Sequence, residues 1–234
     1  QLQPLDAAGN AGELTPMLDF TVAGAAPQAP AITGVYDDAG GNIQPNQPTK
    51  DATPTLEGTA TLGTEVTVYE VSAEGERVVV GSVAVDGKGQ WSISTQNLSD
   101  GTHNLIATAT DGAGQESVAT GAYPVSIDTV APDQPAPAQV IDQVGDKKGA
   151  LVSGETTDDA TPEFKGEGEA GATVTVYDGT TVIGTTTIGG DGQWSLTPAT
   201  GLSQGEHSVT VTLTDKAGNV SAPSEALPFS VGTE

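Results

Sequence analysis

Thr53-Pro54 returns as Thr161-Pro162, Val66-Thr67-Val68-Tyr69 as Val174-Thr175-Val176-Tyr177, and Gly89-Gln90-Trp91-Ser92 as Gly192-Gln193-Trp194-Ser195. Thr110-Asp111 with Ala113-Gly114 returns as Thr214-Asp215 with Ala217-Gly218. The period is about 104 residues, the size of a small domain rather than of a solenoid turn. Each copy is long enough to bury its own core. A tandem array of whole domains serves reach, stiffness or multivalency more readily than catalysis.

A partial copy comes first. Leu5-Asp6-Ala7-Ala8-Gly9-Asn10 matches the Thr110 and Thr214 segments, and Phe20-Thr21-Val22 matches Val125-Ser126-Ile127 and Phe229-Ser230-Val231. Residues 1–24 therefore read as the terminal hairpin of a preceding repeat, from an array that continued upstream. A lone hairpin is marginal in water. The first complete domain is expected over 25–131 and the second over 132–234. A proline-rich, stiff linker, 129–135, spans the boundary.

Within each copy the apolar residues mostly alternate, as half-buried strands require. In the first copy the pattern predicts seven strands, at 31–36, 54–60, 64–71, 77–85, 89–94, 103–110 and 118–127. Turn pairs such as Leu62-Gly63, Glu74-Gly75, Asp86-Gly87 and Asp100-Gly101 separate them. The second copy differs only in turns: its first loop is three residues longer and its hairpin at Asp178-Gly179 five shorter. The expected fold class is all-β, two tandem immunoglobulin-like β-sandwiches of about seven strands each, end to end.

The net charge is −24, from 31 acidic against 7 basic residues. Nucleic acid and anionic lipid are not expected as partners, because both call for clustered Lys or Arg. The chain has no cysteine, so disulfides and thiolate metal sites are excluded too. No apolar run has the length of a membrane span, and the first residues lack a signal-peptide pattern. A monomer without membrane insertion is expected.

Two readings of the acidity are open: a solvated, self-repelling surface, or carboxylates converging on Ca²⁺. Strand alternation places the loops at two poles. Asp37, Asp38, Asp51 and Asp128 fall at the C-terminal pole of the first domain. Asp215, Asp191 and Glu169 fall at the N-terminal pole of the second, which faces it. A Ca²⁺ ion taking 6–8 oxygens would turn their repulsion into a clamp. Asp142 and Asp159 repeat Asp37 and Asp51, while Asp6, Asp111 and Asp215 form a series. The expected metal ligands are Asp37, Asp38, Asp51, Asp128, Asp215, Asp191, Asp111, Asp142 and Asp159. For the recurrent Asp positions, an Asx-turn is the alternative. EF-hand spacing is absent, and Gly189-Gly190-Asp191-Gly192 reads as a hairpin turn.

Trp91 and Trp194 read as packing residues, with a sugar-stacking platform as the alternative. Tyr69 and Tyr177 read as packing residues as well. His103 and His207 lead into equivalent strands, and no nucleophile elbow, phosphate loop or metalloprotease His pair accompanies them. The chain is not expected to be an enzyme.

Asp37-Asp38-Ala39-Gly40, the stretch from Asp51 to Ala60, Gly89-Gln90-Trp91-Ser92, Thr110-Asp111-Gly112-Ala113-Gly114 and the stretch from Ile127 to Pro132 resemble the bacterial Ig-like tandem repeats of giant type I-secreted adhesins and biofilm proteins. The likeness covers both copies and the leading fragment. Asp142-Gln143 departs from its paired acids, and Phe164-Lys165 replaces the Leu56-Glu57 of the first copy. The resemblance implies an extended rod, secreted to the bacterial cell surface through a C-terminal signal and stiffened by calcium between domains. The implied partners are neighbouring repeats and a host or biofilm surface ligand. The expected function is a calcium-rigidified spacer projecting a distal binding region for adhesion or biofilm formation. The alternative is a module that itself binds host glycan or protein.

Overall fold

The computed structural model describes residues 7, 8, 11, 24–146 and 148–232. The terminal hairpin expected over 1–24, with Asp6, lies almost wholly outside them. The described secondary structure is all β. Alternation explains why: in Glu65–Val71, Val66 and Val68 are fully buried, while Glu65 is exposed and Thr67 half-buried.

In the first copy the strands are β1 (Ala31–Tyr36), β2 (Pro48–Thr49), β3 (Thr55–Thr59), β4 (Glu65–Val71), β5 (Arg77–Ala84), β6 (Gln90–Ser94), β7 (Gly101–Thr110) and β8 (Tyr123–Ile127). They form one sheet ordered β1-β3-β6 and another ordered β2-β8-β7-β4-β5. Val35, Leu56, Trp91 and Ile93 of the first sheet pack against Val66, Val68, Leu105, Ala107 and Val125 of the second. This is the expected sandwich.

The second copy repeats it with β9 (Gln139–Asp142), β10 (Gly149–Ala150), β11 (Thr156–Thr157), β12 (Glu163–Glu167), β13 (Thr173–Asp178), β14 (Thr181–Thr187), β15 (Gln193–Leu196), β16 (Gly205–Thr214) and β17 (Leu227–Val231). The sheets are β10-β9-β12-β15 and β11-β17-β16-β13-β14. Phe164, in place of Leu56, sits 6.4 Å from the Phe229 ring in this core.

Two details differ from the sequence reading. The chain leaving β1 crosses to the other sheet, where β2 pairs parallel with β8, Pro48 opposite Ser126 and Thr49 opposite Ile127. Pro48 is tolerated because β2 is an edge strand. Its two residues sit in a turn-rich loop and carry no alternation. The last strand also starts at Tyr123 rather than 118. Over 117–120 the ladder is mixed: Ser117 N and Thr120 N donate to the Ala109 and Ala107 carbonyls, while Ala109 N donates to Ser117 Oγ and Ala107 N to Thr120 Oγ1. Ser221 and Ser224 do the same for Leu213 and Val211.

Each tryptophan packs on a glycine of the neighbouring strand. Trp91 lies opposite Gly58 and Trp194 opposite Gly166. A Cβ on Gly58 would stand 1.9 Å from the Ala31 carbonyl oxygen and 2.5 Å from the Trp91 ring; on Gly166 it would stand 2.7 Å from the Trp194 ring. Both indole N–H groups are buried without a hydrogen-bond partner. Packing against a bare main chain therefore fixes these rings.

Candidate functional site at the domain junction

Contacts between the copies are made chiefly by the turn 215–219 of the second domain. Asp215 closes it: Oδ1 accepts from Asn219 N and Oδ2 from Asn219 Nδ2. Gly218 takes a left-handed φ of 89°, a conformation glycine adopts freely. So shaped, the turn reaches the first domain twice. The second amide hydrogen of Asn219 goes to the Asp128 carbonyl at 2.8 Å, and the Lys50 ammonium donates to the Gly218 carbonyl at 3.1 Å.

The linker is tied down at both ends. Thr129 N and Oγ1 both donate to Asp100 Oδ1 at 2.9 Å, and Gln134 Nε2 donates to the Pro223 carbonyl. The expected meeting of opposite poles is thus made by direct hydrogen bonds.

The expected metal ligands fall into separate places. Asp37, Asp38 and Asp51 line one crevice with Lys50 and, from across the junction, Ala217. Asp191 and Glu169 lie beside the linker, in a different crevice with Pro132 to Ala136. Asp128 begins the linker, where its Oδ1 accepts from Val130 N. Asp111 caps its own turn through Ala113 N, Gln115 N and Gln115 Nε2. The bond from Gln115 N, outweighing partial desolvation, holds the Asp111 carboxyl below its ordinary range, with help from the bond from Ala113 N.

Asp142 and Asp159 sit in the first loop of the second domain, only 2% and 3% exposed. They accept from Val144 N, Gln143 N, Thr157 Oγ1 and Thr161. The turn-forming role left open by the sequence is therefore realised at most of these positions.

Calcium needs six to eight oxygens around one point. Carboxylate and carbonyl oxygens of the kind gathered here are suitable donors. Among the described residues no three acidic or histidine side chains converge to hold an ion. Asp51 spends Oδ1 on Thr53 N and Oδ2 on Asp38 N, and an ammonium already shares the crevice.

The histidines are structural braces. His207 Nδ1 stands 2.7 Å from Asp178 Oδ2 and Nε2 stands 2.8 Å from the Ser203 carbonyl. His103 repeats this with Glu70 and the Ser99 carbonyl. Both ring nitrogens are occupied, which leaves neither for proton transfer to a substrate. Burial pushes the His207 pKa down, but the bonds to Asp178 and Ser203 and the Asp178 charge outweigh it and raise the pKa above its ordinary value.

A raised histidine pKa gives stability that is complete below the unfolded-state pKa and is lost as pH rises through the folded one. The second domain is expected to lose this contribution, and so to melt lower, as pH rises above the unfolded histidine value of about 6.5. The component of that slope due to His207 should vanish in His207→Gln, as calorimetry at several pH values will show.

Sequence reasoning missed Lys50, Asp100, Gln134 and Asn219. One signal was available: Lys50 stands where the second copy has Asp158.

Residues 26–129 and 135–233 each match the family model of the bacterial Ig-like domain. The chain belongs to that family, as two tandem copies. No curated protein matches it. Among solved structures it resembles a biofilm associated protein BSP domain at 21% identity and TM-score 0.32, over 82% of this chain and 30% of that one. A tetra-tandem repeat from the extending region of a large adhesion protein matches at 22% identity and TM-score 0.31, over 96% of this chain and 55% of that one. Fibronectin(III)-like modules of Clostridium thermocellum CbhA match at 14% identity and TM-score 0.45, over 84% and 93%. The chain thus spans under a third of the biofilm protein structure and about half of the adhesion protein structure.

Proposed function

We propose that this chain is a spacer segment of a large bacterial surface adhesin, two sandwiches held end to end in one orientation to carry a distal binding region outward. The observation that supports this most is the hydrogen-bonded junction, in which Asn219 and Lys50 bind main-chain or loop partners across the domain boundary. A flexible tether would have no need of it. Location on the bacterial exterior follows from the same reading.

The adhesive alternative calls for an exposed aromatic platform. Every described tryptophan and phenylalanine is buried, and every described tyrosine is half-buried. The spacer reading is tested by small-angle scattering together with a glycan array. An elongated particle of invariant length and no retained glycan are expected. Specific glycan retention by the isolated chain would favour the adhesive module.

The calcium clamp is the rival account of stiffness. One observation favours it: Asp37, Asp38 and Asp51 line a single crevice reaching Ala217, and the Asp38 carboxylate accepts no bond among the described residues. It requires an ion to displace or join the Lys50 ammonium. It predicts a junction that loosens when calcium is chelated.

A further inference from the structure

The junction is crowded with negative charge. Asp37, Asp38, Asp51 and Asp128 lie at the end of the first domain, and Asp215 arrives on the turn that docks there. Like charges gathered on facing surfaces repel. A cation at the contact relieves that repulsion, and a lysine is already there. Lys50 Nζ reaches the Gly218 carbonyl, 168 positions away in sequence.

Lys216, next to the contact, is turned away. A Cβ on Gly171 would stand 2.9 Å from its Cε, so its stem covers its own domain.

The internal repeat makes Lys50 more telling. Lys50-Asp51-Ala52-Thr53-Pro54 aligns with Asp158-Asp159-Ala160-Thr161-Pro162, and Asp38 aligns with Gln143. The two copies carry the same framework aspartates, yet only the first has an amine at this place. The turn-closing asparagine differs as well: its counterpart in the first domain is Gln115, whose Nε2 also donates to the turn aspartate.

We propose that Lys50 is the resident cation of this junction. Its ammonium docks the turn 215–219 of the following domain onto the acidic pole of the first, so the two domains keep one orientation without a divalent ion. This rests on the spacer reading and supplies its mechanism. Lysine delivers its charge as a point donor on a flexible stem, enough to satisfy one carbonyl and to offset the nearby carboxylates. Because Lys50 is exposed, salt should weaken the contact.

Single-molecule energy transfer tests this on the whole chain. The protein has no cysteine, so dyes can be attached uniquely through Glu74→Cys and Thr180→Cys, both exposed turn positions. In EGTA the parent chain should give one narrow distance distribution, unchanged by about 10⁻³ M calcium, the range of extracellular calcium modules. Lys50→Met keeps the stem and removes the charge. It should raise the open population roughly fivefold, the order expected for one charged hydrogen bond at an exposed site. Lys50→Arg should restore the narrow distribution.

Separate melts of the two domains should be unchanged in Lys50→Met, which excludes misfolding as the cause. A narrow distribution in Lys50→Met overturns the role of Lys50 while leaving the spacer intact. A parent distribution that is narrow only with calcium overturns the resident cation in favour of the ion. A parent distribution that is broad in both conditions overturns the spacer reading itself.

Discussion

Gly58→Val should unfold the first domain at temperatures where the second stays native. The Cβ of any side chain there would stand 1.9 Å from the Ala31 carbonyl oxygen and 2.5 Å from the buried Trp91 ring. No rotamer relieves a clash made by Cβ itself; β1 must part from β3, or the indole must leave the core. Overpacking typically costs about 1–3 kcal/mol, and a main-chain clash belongs at the upper end. For a domain of this size that lowers the melting temperature by roughly 15 °C. Calorimetry should show two transitions, with the unaltered second domain as internal reference. Gly166→Val should mirror the effect in the second domain through Trp194. A single unshifted transition would show that the sheet absorbs the side chain by local movement.

Asn219→Ala should uncouple the domains without unfolding either. The side chain is 9% exposed, and its two amide hydrogens go to the Asp128 carbonyl and to Asp215 Oδ2. Alanine removes both bonds and leaves the Asp128 carbonyl unsatisfied at the contact, a loss of about 1–3 kcal/mol. That is a shift of roughly fivefold to 150-fold toward the open junction. The turn keeps the bond from residue 219 N to Asp215 Oδ1, so the second domain should melt only a few degrees lower. Proteolysis of the linker 129–135 offers a direct reading, since an open junction exposes it. Unchanged cleavage would place the holding contacts elsewhere.

Much of this fold was legible before any coordinates. The strands near 31–36, 65–71 and 90–94 follow from alternation, and the opposed poles follow from strand count. What alternation cannot report is a strand of two residues. Pro48-Thr49 and Thr156-Thr157 are set by pairing with β8 and β17, distant in sequence. Nor does it report side-chain oxygens that stand in for main-chain acceptors in a ladder, as those of Ser117 and Thr120 do. The aspartates were legible as positions with a job, because they recur. Which job depends on where each carboxylate points. Asp51, Asp111, Asp142, Asp159 and Asp215 all point into their own loops. Lys50 escaped notice for the opposite reason: a residue that breaks a repeat is invisible to a search for what repeats.

The bacterial Ig-like family accounts for the two sandwiches, and the junction is the basis on which we propose that they act as one rod. The most direct test of that central claim is the relative orientation of the domains from residual dipolar couplings in EGTA. The account predicts that both domains report one common alignment tensor, with the same orientation after calcium is added. Two unequal tensors in EGTA, merging only when calcium is present, would contradict it and assign the stiffness to the ion.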